Sequence, residues 1–104
     1  MSIISSDLTA TPSAIYTSTN QTVVTGMYIV NHNNNSQPNK VSVWLVKNGS
    51  STSNTNLIYN NVSIASSDTL IVDREKIILD NGDAIYAYAN NAGNVSSTIN
   101  YVSL

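Results

Sequence analysis

The side chains with acid-base or metal-binding potential are few: His32 and the six carboxylates Asp7, Asp68, Asp73, Glu75, Asp80 and Asp83. His32 is the single imidazole, and it stands in the tract Asn31 to Asn39 without the Ser, Asp and Gly context of a nucleophile elbow or triad. Two carboxylates acting as glycosidase acid and base need opposed positions across a cleft, for which a chain this short has little room. Asp80-Asn81-Gly82-Asp83 shares residue types with a calcium loop but lacks its ordered oxygen ligands and terminal bidentate Glu. Cysteine is absent, which removes thiolate ligands, a thiol nucleophile and any disulfide framework. Gly26, Gly49, Gly82 and Gly93 are scattered, so no glycine-rich phosphate cradle is present. These residues lead to the expectation of a non-enzyme with no catalytic group, no metal and no cofactor.

The elements that would have to position any site are strands. In 104 residues there are 16 Asn, 16 Ser and 10 Thr, with 41% hydrophobic residues and a net charge of only -2. Disordered chains combine low hydrophobicity with high net charge, so this one is expected to fold, as one domain. Val, Ile, Thr and Tyr suit a pleated, half-buried surface. With 4 basic against 6 acidic residues and no basic run, the phosphate-neutralising footprint of a nucleic-acid binder is missing. The opening Met1-Ser2-Ile3-Ile4-Ser5-Ser6-Asp7 lacks the basic and apolar stretches of a signal peptide, and no apolar run reaches membrane-spanning length. Neither a nucleic acid nor a membrane is therefore an expected partner.

Turn-rich tracts at 31–39, 48–56, 65–68, 80–83 and 90–94 separate strand-type runs at 14–17, 21–30, 40–47, 57–64, 69–72, 76–79, 84–89 and 95–104. About eight short strands at this spacing predict an all-β, single antiparallel β-sandwich, jelly-roll or Ig-like, with residues 1–13 as an extended N-terminal arm. Asn81-Gly82, between Ile77-Ile78-Leu79 and the alternating run 84–89, predicts a two-residue β-hairpin. The one dense charge cluster, Asp73-Arg74-Glu75-Lys76, is expected to be a solvated turn.

Alternation across each strand divides it into two faces, the more aliphatic of which is assigned to the core. That set is Val41, Val43 and Leu45 in 40–47, Ile85, Ala87 and Ala89 in 84–89, and Val95, Ile99 and Tyr101 in the last run. In 21–30, Val23, Met27 and Ile29 go inward, with Gly26 at a bend or bulge. The opposite faces carry Trp44, Tyr28, Tyr86, Tyr88, Val24, Val30 and Val46. If those strands share one sheet, they make a surface too apolar for water, the mark of a contact with another protein.

Some longer patterns bear on identity: Ile15-Tyr16-Thr17, the strand Thr22 to Val30 ending in Asn31, Val41 to Val46, Ile77-Ile78-Leu79-Asp80-Asn81-Gly82-Asp83-Ala84-Ile85-Tyr86-Ala87, and the terminal run Ile99 to Leu104. In these the chain, from residue 14 to 104, resembles small β-sandwich virion proteins of tailed bacteriophages, accessory components of heads and tails. The first dozen residues and the Asn-rich loops depart from that pattern. The resemblance implies a non-enzymatic virion part present in many copies, foremost a capsid decoration (cement) protein, with a neck, tail or fibre component as the alternative. Its partners would be copies of itself, as a homo-oligomer for which a trimer matches local three-fold capsid positions, and other virion proteins such as the major capsid protein. The residues alone leave a different class open: a carbohydrate-binding module or adhesin, in which Trp44 or the Tyr86 and Tyr88 pair stacks on a host glycan.

Overall fold

The computed structural model describes residues 2–33, 37–72, 77–91 and 94–104. All of its regular structure is extended: β1 (Ser2–Asp7), β2 (Ser13–Thr17), β3 (Thr22–Asn31), β4 (Asn39–Val46), β5 (Leu57–Ile64), β6 (Thr69–Val72), β7 (Ile77–Leu79), β8 (Ala84–Ala89) and β9 (Val95–Ser103). They form two antiparallel sheets, one in the order β1-β9-β3-β6 with β7 also on β3, the other β2-β8-β4-β5. The cluster Asp73-Arg74-Glu75-Lys76 lies outside the described residues.

β6 pairs with Met27 to Val30 and β7 with Thr22 to Val24, so the two continue one another along the same edge of β3. Counted as one interrupted strand, they complete eight strands wound as a jelly roll. An Ig-like order would keep the first two strands side by side, whereas β1 and β2 lie in different sheets.

Between the sheets lies one cluster of buried apolar side chains drawn from both, including Val24, Met27, Ile29, Ile99, Val41, Val43, Ile85 and Ala87. The inward sets expected for 40–47, 84–89 and 95–104 are all in it or packed against it, Leu45 and Tyr101 as partly buried members. Tyr101 stacks on Tyr16 with ring centres 4.8 Å apart.

The structure departs from the sequence expectation at two connections. The segment expected to be an N-terminal arm is the edge strand β1, paired along its length with β9 from Ser2 opposite Tyr101 to Asp7 opposite Ser96. Leu8, directly after it, is 1% exposed in the core. The second departure is the Asn81-Gly82 turn, which joins no hairpin, because β7 lies in one sheet and β8 in the other. Positive φ is confined to Gly82 (90°) in this turn, the type II pattern, whereas the hairpin type needs it at both central residues. Asp83 braces the turn: its carboxylate accepts the Asp80 N–H at 3.0 Å and the Asn48 N–H at 2.9 Å.

Asn31 and Asn39 are held by hydrogen bonds through buried side-chain amides. Asn31 Nδ2 donates to the carbonyls of Ile64 (2.9 Å) and Gln37 (3.1 Å), and its Oδ1 accepts the Asn33 N–H. Asn39 exchanges two hydrogen bonds with the backbone of Asn91. Among the described residues, no buried side-chain nitrogen or oxygen lacks a partner. Buried polar groups left unpaired cost free energy, so these bonds hold residues 31 and 39 to the backbone of Ile64 and Asn91.

Candidate functional site

His32 is exposed, and its backbone N–H bonds to the Asn94 carbonyl. Among the described residues no three His, Asp or Glu side chains come together. What the fold does organise is its two outer faces, and they divide the seven residues expected to form one patch. Tyr28 and Val30 lie on the outside of the sheet containing β3, whereas Trp44, Tyr86 and Tyr88 lie on the outside of the sheet containing β4 and β8. They are on opposite sides of the sandwich.

Two of the seven are buried. Val24 is 2% exposed within the core, because the pairing of β3 with β9 shifts register between Val24 and Gly26. One extra residue there flips the faces upstream, so Thr22 and Val24 point inward with Met27 and Ile29, and Val23 points out. The sequence marks the bulge at Gly26 but not the change of parity it imposes. Val46, opposite Ala84, is 4% exposed at the end of β4, where it shares a shallow cleft with Lys47, Asp80 and Asp83. The Asn48 to Asp83 hydrogen bond draws two loops together over that strand end.

The outer face of the β1-β9-β3-β6 sheet is built in rows. Val102, Val23 and Ile78 form one, and Ser5, Thr98, Tyr28 and Ile71 another. The half over β3, β6 and β7 is aliphatic, with Ile71 54% and Ile78 63% exposed. The half over β1 and β9 carries hydroxyls, including the Ser5 to Thr98 hydrogen bond at 3.1 Å, with Ile3 exposed at the edge. Tyr28 reaches back over the bulge: a side-chain carbon on Gly26 would stand 3.7 Å from its hydroxyl. Asp7 is the only ionisable carboxylate among the outward residues of the described strands here.

On the other sheet, Trp44 opposes Tyr86 and Ser42 opposes Tyr88. The Trp44 and Tyr88 rings are 6.1 Å apart and tilted by 41°. Beside them β5 bulges at Asn61, which takes a left-handed φ of 49°, a conformation Asn tolerates. The Ser42 hydroxyl accepts the Asn61 N–H at 2.9 Å, and the Tyr88 hydroxyl donates to Asn61 Oδ1 at 3.3 Å. All three rings are half-buried.

The chain matches no family model, no curated protein and no solved structure. Ile71, Ile78, Ile3 and Asn61 escaped the sequence reading for local reasons. Thr69 to Val72 and Ile77 to Leu79 are short apolar runs with no alternation, so no face can be assigned to them. Asn60-Asn61 inside a strand was the one available sign of a bulge.

Proposed function

We propose that the chain is a non-enzymatic structural protein of a tailed-phage virion, a decoration protein that reinforces the head by associating through the outer face of the β1-β9-β3-β6 sheet. The observation that carries this is the aliphatic half of that face, where Ile71, Ile78, Val23 and Val102 meet water around Tyr28. Aliphatic side chains without polar atoms gain from any contact that dries them, at about 25 cal/mol per Å². The molecule measures 41 × 28 × 21 Å, and its shortest axis fits two sheets about 10 Å apart with their outward side chains. A face of the longer dimensions outlines on the order of 1,000 Å², so an interface of the about 800 Å² per partner that stable complexes use would take in the hydroxyl-bearing half as well as the aliphatic one.

Jelly rolls occur among viral capsid and lectin domains, which suits this reading, although a fold alone carries no function. Copies joined through this face would then dock on other virion proteins such as the major capsid protein. Repeating modest contacts over many lattice positions makes the reinforcement strong.

The test is light scattering coupled to size-exclusion chromatography at micromolar concentration, on the native chain and on Ile71→Asp/Ile78→Asp. A homo-oligomer is expected for the native chain, a trimer if it sits at a three-fold capsid site, and a folded monomer for the double variant. A native monomer, or a variant that keeps the oligomer, would remove the basis of the proposal.

A further inference from the structure

We infer that the outer face of the β2-β8-β4-β5 sheet is a binding platform for a neutral polysaccharide, a site separate from the self-association face. Trp44, Tyr86 and Tyr88 sit on the two central strands, and small residues flank them: Ala14 is opposite Tyr86 and Ser42 opposite Tyr88. The two tyrosine rings are thus bordered by low side chains, whereas Trp44 has Leu57 opposite it on β5. Trp and Tyr each join an apolar body to a polar tip, and such surfaces serve where a ligand is apolar on one side and polar at its rim.

The hydrogen-bond inventory narrows the ligand. Asn61 is held by Ser42 through its N–H and by Tyr88 through its Oδ1, which leaves its Nδ2 donor without a partner among the described residues. The Trp44 indole N–H and the Tyr86 hydroxyl are likewise unpaired there. Burying this face against an aliphatic protein surface would strand those donors at a cost of about 1–3 kcal/mol each. A sugar ring avoids that cost, because its C–H face covers an aromatic ring while its rim of hydroxyls accepts from Asn61, Trp44 and Tyr86.

Charge points the same way. None of these five residues is an Asp, Glu, His, Lys or Arg, and Lys40 is the one charged residue within β4. Stacked single-stranded nucleic acid would need a basic groove tracking its phosphates, which one lysine does not supply. A neutral polyol matches the neutral face.

Trp44 is the only tryptophan, so its fluorescence reports on the platform directly. The native chain would be titrated with cellohexaose, xylohexaose, mannohexaose, maltohexaose and chitohexaose up to millimolar concentration. At least one should produce a saturable change in Trp44 emission. Tyr88→Ala should weaken that binding at least tenfold. Asn61→Gly, which keeps the left-handed backbone and removes the amide, should weaken it at least threefold without lowering the melting temperature. No saturable response to any of the five sugars, or equal binding by Asn61→Gly, would overturn the inference. Ile71→Asp/Ile78→Asp should bind sugar as the native chain does, so the two faces can fail independently.

Discussion

On the β1-β9-β3-β6 sheet, the outward side chains over β3, β6 and β7 are mostly aliphatic, with the Tyr28 and Thr69 hydroxyls as their polar atoms. On the β2-β8-β4-β5 sheet, the outward side chains include three rings with polar tips, of which Tyr88 is hydrogen-bonded to Asn61, itself held by Ser42. Both faces would count as apolar in a tally of residue types, yet they suit different occupants. A mostly aliphatic face is best covered by another such face, since few of its groups need a directed partner. An aromatic face with free donors gains most from a ligand that supplies acceptors in fixed positions.

The sharpest way to break this comparison lies in β3, where the bulge decides which valine belongs to a face. Val24→Asp should destabilise the fold by about 3 kcal/mol or more, because it buries a carboxylate in the core, whereas Val23→Asp should cost less than about 1 kcal/mol. Urea denaturation of both variants checks this, and equal effects would mean that the faces are wrongly drawn. Next comes Ser42→Ala, on the aromatic face but 2% exposed. It removes the acceptor for the Asn61 N–H and should cost about 1–2 kcal/mol, with amide exchange accelerated around Asn61. Ile71→Asp and Ile78→Asp should each leave the monomer within about 0.5 kcal/mol of the native chain, because both side chains are already in water. Melting of dilute samples measures this, and a larger loss would mean that the aliphatic face has intramolecular cover. The smallest effect is expected from Tyr88→Phe, a few tenths of a kcal/mol for one exposed hydrogen bond. Its Trp44 emission should be nearly native, since the ring contact is kept.

Much of the fold was legible in residue types. Eight runs of strand-forming residues separated by Asn, Ser and Gly tracts all became strands, and alternation placed Val41, Val43, Ile85, Ala87, Met27 and Ile29 in the core. The candidate faces were legible only in fragments. Trp44, Tyr86 and Tyr88 did come together, because β4 and β8 are neighbours in register. Tyr28 and Val30 did not join them, since nothing local to β3 says which sheet it enters. The Asn81-Gly82 dipeptide carried a real turn signal, but a turn can reverse the chain within a sheet or hand it across to the other. The deciding feature was the positive φ at Gly82 alone. The loop asparagines looked like solvent-exposed turn formers, and Asn31, Asn33 and Asn39 are in fact buried, the first and last with their amides on the carbonyls of Ile64 and Asn91 from distant segments.

The amino-acid sequence by itself determined the all-β class, the strand positions and most of the core, because those depend on propensity and on a two-residue period that each strand carries within itself. Only the tertiary structure decided the sheet membership of each strand, the parity flip at Gly26, the incorporation of Ser2 to Asp7 as an edge strand, and hence which apolar side chains share a surface. Those depend on pairings between residues far apart in the chain, such as Ser5 with Thr98 or Val24 with Tyr101. No local pattern encodes such pairings, and a single inserted residue reverses every face on one side of it.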